Sequence, residues 1–119
     1  MTIAHERLEI DSGKVREAQT HADFSENAWL TFYLAGQSND LDALSVALEK
    51  FGARNLEGSK GGFVNAKIPV SLTESDIIDR VDQVRKQADR FNISIDIVDL
   101  DPTDESHSKK FYTLWKASQ

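Results

Sequence analysis

Trp29-Leu30-Thr31-Phe32-Tyr33-Leu34-Ala35 alternates as a half-buried strand must. Leu30, Phe32 and Leu34 fall on one face, and Trp29, Thr31 and Tyr33 on the other. Gly36 ends the run, and Ser38, Asn39 or Asp40 can cap a following helix by accepting from its first amides. Leu41, Leu44, Leu48 and Phe51 then recur at helical spacing until Gly52 supplies a stop. The short polar run Ala53 to Glu57 reads as an edge strand, and Gly58-Ser59-Lys60-Gly61-Gly62 as a hairpin tip. The return strand, Phe63 to Val70, turns Val64, Ala66, Ile68 and Val70 inward and Phe63, Asn65 and Lys67 outward. Pro69 sits near its end, where a missing ladder donor costs least.

Thr73 with Asp76 resembles a capping box and opens a long helix from about Glu74 to Phe91. Its apolar stripe is Ile77, Ile78, Val81, Val84, Ala88 and Phe91. Asp76, Asp79 and Asp82 crowd its first half, and Arg85, Lys86 and Arg90 its second, an order that complements the helix dipole. Asn92 marks the stop. Ile93, Ile95 and Ile97 are expected to form the inward face of the last strand.

Strand, helix, strand, strand, helix, strand is βαββαβ. Each strand has one strongly apolar side, so both helices belong on the same face, and right-handed crossovers predict the strand order 4-1-3-2. The expected class is α+β, a ferredoxin-like sandwich over residues 28–101 with an antiparallel sheet and two helices on one face. Residues 1–27 form an N-terminal extension, in which Lys14 to Ala22 is read as a helix rather than half of a hairpin. Residues 102–119 form a C-terminal segment. The polar connector Asp101 to Ser108 leads into it, and Phe111, Tyr112 and Trp115 then bring back aromatics, as either a fifth strand or a helix.

At 119 residues the chain can bury one hydrophobic core. It has no Cys, which excludes disulfides, thiolate metal sites and cysteine nucleophiles. No leader pattern opens it, and its longest apolar run is far short of a membrane span, so a cytoplasmic protein with no membrane partner is expected. His5, His21 and His107 lack metal-like spacing and read as solvated surface residues. A lysine amid glycines at 58–62 precedes a strand, not the helix a phosphate loop requires. No nucleophile elbow or metal-binding helix motif occurs, so neither an enzyme nor a cofactor is expected.

Net charge is −6 and the sequence pI is near 5.0. Direct nucleic-acid binding is disfavoured by that balance, because such affinity rests on Lys and Arg neutralising phosphates. An acidic chain instead suits a basic protein partner. The acidic face of the second helix (Asp76, Asp79, Asp82), together with Asp99 and Asp101, is the first candidate for that contact. The outward sheet face, with Trp29, Tyr33 and Phe63, is the second. Three occupants are open for this sheet face: the chain's own C-terminal segment, expected first; a protein partner or second copy, giving a homodimer; and RNA stacked on the aromatics.

The run from Asn39 to Asp96 resembles the B-type bacterial regulators of ribonuclease activity, protein inhibitors of ribonuclease E. The likeness lies in Asp40-Leu41, Phe51-Gly52-Ala53, Ser75-Asp76-Ile77-Ile78-Asp79, Val81-Asp82-Gln83-Val84 and Ala88-Asp89-Arg90-Phe91-Asn92-Ile93-Ser94-Ile95-Asp96. It spans roughly half the chain. Ile97-Val98-Asp99 replaces the Gly-Trp that typically follows the last strand, and the very acidic tail is absent. The resemblance implies an acidic, non-enzymatic binder that inhibits an RNA-degrading enzyme. An immunity or anti-defence protein that neutralises a nuclease would share these features. A different class is an amino-acid sensor of the ACT type, to which Gly36 at the strand–helix junction points; the usual Asp-x-Pro-Gly loop is missing. A small enzyme would require a buried, perturbed carboxylate with a pocket around it.

Overall fold

The computed structural model describes residues 8–54, 62–103 and 110–117. Along the chain run α1 (Ser12–Thr20), β1 (Asn27–Ala35), α2 (Ser38–Glu49), β2 (Phe63–Ser71), α3 (Glu74–Arg90), β3 (Ser94–Pro102) and β4 (Tyr112–Lys116). The strands form one antiparallel sheet in the order β2-β1-β3-β4. The fold is an α+β sandwich of the ferredoxin-like kind.

The order reproduces the expected sequence of strands and adds to it. The third, first and fourth strands of the sequence reading stand side by side as β2, β1 and β3. The expected second strand is represented by a single bridge from Arg54 to Lys67, on the outer side of β2. Its remaining residues, Asn55 to Glu57, and the glycine-rich tip at 58–61 lie outside the described residues.

One cluster forms the core: Leu30, Phe32 and Leu34 of β1, Val64, Ala66 and Ile68 of β2, and Leu41, Leu44 and Leu48 of α2 meet Ile77, Val81, Val84 and Ala88 of α3. The second helix therefore sits where its stripe dictates, with one correction. Ile78 does not join the core but is 48% exposed, at the rim of a cleft described below. Helix α2 is opened by Gln37, with no side-chain cap from Ser38, Asn39 or Asp40. At α3 the Thr73 hydroxyl does accept from the Asp76 amide, while the Asp76 carboxylate accepts from the Ser71 amide and hydroxyl, both at 2.8 Å. Asn92 takes a left-handed conformation after α3 (φ 59°), the turn that lets the chain reverse into β3.

Both chain extensions are built into the fold. Helix α1, capped by Asp11, contributes Val15 and Ala18 to the core and packs against β4. The Asp11 amide donates to the Leu114 carbonyl at 2.9 Å, and Tyr112 stands edge-on to His21 and beside Phe24. His21 is thus half-buried in an aromatic cluster rather than solvated; His5 and His107 lie outside the described residues. The C-terminal aromatics do not fold over the open sheet face, as the first expectation had it. They lengthen the sheet at its β3 edge, because Tyr112 pairs with Leu100 and Thr113 with Asp99.

The last strand breaks strict alternation. Leu34 pairs with Ile95 and Tyr33 with Ile97, so Asp96 is an extra residue, a β-bulge. Ile93 and Ile95 point into the core as expected, but Ile97 turns to the opposite face and Val98, Leu100 and Pro102 take the inward positions.

Candidate functional site

The acidic residues singled out in the sequence separate onto opposite sides of the molecule. Asp76, Asp79 and Asp82 belong to α3, on the helical side of the sheet. Beyond the Asp96 bulge, Asp99 and Asp101 project from the other side. No single acidic surface joins the two groups.

On the helical side each aspartate has a distinct local role. Asp76 ties the end of β2 to the start of α3 through Ser71. Asp82 lies 2.7 Å from an Arg85 guanidinium nitrogen and 3.2 Å from the Lys86 ammonium. Hydrogen bonds from Arg85 and then Lys86 hold its carboxyl below the ordinary aspartate value. Asp79 and Asp82, with Ile78, Val81 and Arg85, form one wall of a cleft of about 510 Å³ whose other wall is Leu8, Glu9 and Ile10. This cleft escaped the sequence reading because its second wall comes from the N-terminal segment.

On the open side, pairing in register brings together residues from Trp29 to Asp101. Trp29 stands opposite Pro69 on β2 and Asp101 on β3, Thr31 opposite Lys67 and Asp99, and Tyr33 opposite Asn65 and Ile97. Phe63, paired with Ala35, is 62% exposed, while Trp29 and Tyr33 are half-buried. The expected aromatic grouping of Trp29, Tyr33 and Phe63 is therefore present on the two neighbouring strands β1 and β2. Arg54 approaches the Trp29 ring from the β2 side, its guanidinium carbon 6.0 Å from the ring centre.

The β3 half of this face is acidic and wired by hydroxyls. The Thr31 hydroxyl donates to Asp101 at 2.5 Å and the Thr113 hydroxyl donates to Asp99 at 2.9 Å. Asp99 is only 6% exposed. Burial pushes its carboxyl above the ordinary value; the Thr113 hydrogen bond works against that shift, the neighbouring Asp101 charge adds to it, and a Tyr33 hydrogen bond again opposes it. Tyr33 is itself pushed up, by burial first and then by the Asp99 charge, its hydrogen bond to Asp99 and the Asp101 charge. Among the described residues no Lys, Arg or His forms an ion pair with Asp99 or Asp101. Thr31, which the sequence places on this face without a role, and Thr113, which it does not single out for the site, complete this network. Only the strand register reveals it.

Asp99 meets the first condition set for a small enzyme, a buried and perturbed carboxylate, but the 510 Å³ cleft is lined by none of these open-face residues. Among the described residues no group of three or more His, Cys, Asp or Glu is placed to hold a metal ion, and no helix is long and apolar enough to cross a membrane. At the strand–helix junction a side chain on Gly36 would come within 2.4 Å of the Ile93 Cδ1 atom. The missing side chain makes room for the core, not for a ligand.

Comparison with protein-family models, with curated proteins and with solved structures finds no match.

Proposed function

We propose that this protein is a non-enzymatic regulator that acts by binding another protein, and that it binds through the open face of its sheet. The class of target best suited to it is a nuclease or another enzyme with a basic surface. The observation carrying this reading is that Trp29, Tyr33 and Phe63 share the open sheet face with an acid pair, Asp99 and Asp101, that forms no ion pair with a Lys, Arg or His among the described residues. Half-buried or exposed aromatics beside unpaired charge are what protein interfaces use for anchoring and for steering. The acid pair also argues against RNA on this face. A base stacked on Tyr33 would bring its phosphates towards Asp99 and Asp101, where like charge repels them.

Affinity capture from the native host, followed by an activity assay on the captured protein, tests the reading. Wild type, an open-face variant (Trp29→Ala with Asp101→Lys) and a helical-face variant (Asp79→Lys with Asp82→Lys) would be used side by side. The expected result is one protein retained by wild type and the helical-face variant, lost by the open-face variant, and slowed in its catalysis when bound. Retention by the open-face variant with loss on the helical-face variant would move the binding surface to α3 and refute the reading.

A further inference from the structure

We propose, building on the protein-binding reading above, that the acidic half of the open sheet face is the seat of a single lysine or arginine side chain from the protein partner, its charged end between Asp99 and Asp101. The inference deepens that reading by fixing the chemistry of the contact and its position on the sheet.

Three features of the face select this occupant. Asp99 and Asp101 are two residues apart past the bulge, so both project from the same side of β3, roughly 7 Å apart along the strand. Their hydrogen-bond partners are hydroxyls, Thr31 on Asp101 and Thr113 on Asp99, with Tyr33 beside Asp99. A carboxylate has about four lone-pair sites, so these bonds leave acceptor capacity on both groups for a donor from outside. An ammonium or guanidinium brings several donors and a positive charge together.

The flanking groups narrow the choice further. Trp29, directly across from Asp101, and Tyr33, diagonal to Asp99, offer ring surface on which an aliphatic stem or guanidinium plane can lie. The basic side chains of the sheet, Arg54 and Lys67, belong to the β2 side. Lys116 pairs opposite Ile97, at the other end of the acidic half. The face is thus basic and apolar near β2 and, apart from Lys116 on β4, acidic near β3. A second copy presenting the same acidic half would meet like charge, which makes face-to-face self-association the poorer fit.

Docking of a cation favours the ionised form of Asp99, whose carboxyl burial pushes up; Thr113 on β4, Asp101 on β3 and Tyr33 on β1 are the other groups acting on its titration. Binding accordingly tightens as pH rises through the Asp99 midpoint and levels off above it.

Carbon-detected NMR of the side-chain carboxyls in the full chain tests this, with a blocked Gly-Arg-Gly peptide, a blocked Gly-Lys-Gly peptide, and a blocked Gly-citrulline-Gly peptide as the neutral isostere. A saturable shift of the Asp99 and Asp101 carboxyl carbons is expected with either cationic peptide and none with citrulline. The apparent Asp99 midpoint should fall on binding, and Asp101→Asn should weaken it by on the order of tenfold. Equal shifts with the citrulline peptide, or shifts centred on Asp79 and Asp82, would overturn the proposal. So would a single-stranded oligouridylate that moves Trp29, Tyr33 and Phe63 while the peptides do not. Should the peptides fail while capture still depends on Trp29 and Asp101, the cation seat is wrong and the protein-binding reading survives. Should capture fail to depend on the open face, that reading falls separately.

Discussion

Replacing Asp99 by Asn removes a charge from an almost closed position without changing its shape, and it should stabilise the protein at neutral pH. The carboxylate is 6% exposed, and burial, the largest influence on it, disfavours its ionised form. Its folded-state pKa therefore lies above the unfolded value, which is about 3.9 for an aspartate. For a raised acid the sign is fixed. The stability it contributes is fully present below the unfolded pKa and is lost as pH rises through the folded one. In the variant the amide oxygen can still accept from Thr113, now at 2.9 Å, and the Tyr33 hydroxyl can turn to accept from the new amide hydrogens. Exchanging one charged bond for neutral ones costs about 1 kcal/mol. Removing a desolvated charge beside Asp101 should outweigh that cost by a similar amount, a net gain of about 1 kcal/mol. At this chain length the gain corresponds to roughly 4 °C in Tm. Urea and thermal unfolding of both proteins at pH 4 and pH 7.5 would read it, with little or no advantage at the lower pH and the full advantage at the higher. A loss of stability larger at pH 7.5 than at pH 4 would refute the argument, because it would mean that the hydroxyl network stabilises the ionised carboxylate more than burial penalises it.

Other consequences are open to simpler measurements. Gly36→Ala should lose about 1–3 kcal/mol in urea unfolding, since its Cβ would press within 2.4 Å of a fully buried Ile93. Asp76→Ala should cost about 1–2 kcal/mol by leaving the Ser71 amide without its acceptor, and Asp76→Asn clearly less. In an NMR titration, Arg85→Ala should move the Asp82 midpoint upward towards its ordinary value, because the Arg85 hydrogen bond is the largest influence holding it down. Deletion of Asp96 should leave urea unfolding cooperative, because it removes only the extra residue of the bulge and leaves Ile97, Asp99 and Asp101 opposite Tyr33, Thr31 and Trp29 in regular alternation.

Periodicity made the central elements legible, and it failed where a residue's environment depends on a partner strand. The alternation of β1 and β2 predicted every inward side chain except Ala28, at the start of β1, because those strands are regular and a slip of one residue would expose the whole core set. The stripe of α3 was legible for the same reason, apart from Ile78, whose partial cover comes from Leu8 and Ile10 across a cleft that no helical period encodes. The C-terminal aromatics carried enough apolar character to announce burial but not its direction. Tyr112 is buried because the turn after α1 supplies His21 and Phe24 around it, a meeting of the two chain ends that local sequence cannot express. Of the candidate site, Trp29, Tyr33 and Phe63 could be grouped in advance, with Thr31 on the same face, whereas the hydroxyl bonds of Thr31 to Asp101 and of Thr113 to Asp99 could not.

The Asp96 bulge links the part of the site that was readable to the part that was not. Taken at face value, Ile93, Ile95 and Ile97 ask for strict alternation, and continuing it would send Asp99 and Asp101 inward with Ile97. That pattern contains its own contradiction, since a core strand does not bury two neighbouring carboxylates without partners. One extra residue resolves it by exchanging the two sides: Val98 and Leu100 replace Ile97 in the core, and Ile97, Asp99 and Asp101 emerge opposite Tyr33, Thr31 and Trp29. The bulge thus does two jobs in one step, completing the core under α3 and delivering an acid pair to the aromatic face of β1. Placing that pair costs stability at neutral pH, as the Asp99 argument requires, and nothing in the core needs it there. A local feature that burdens the fold and serves no packing purpose is most economically assigned to binding, which is why the open face, rather than the well-satisfied acids of α3, carries the functional reading.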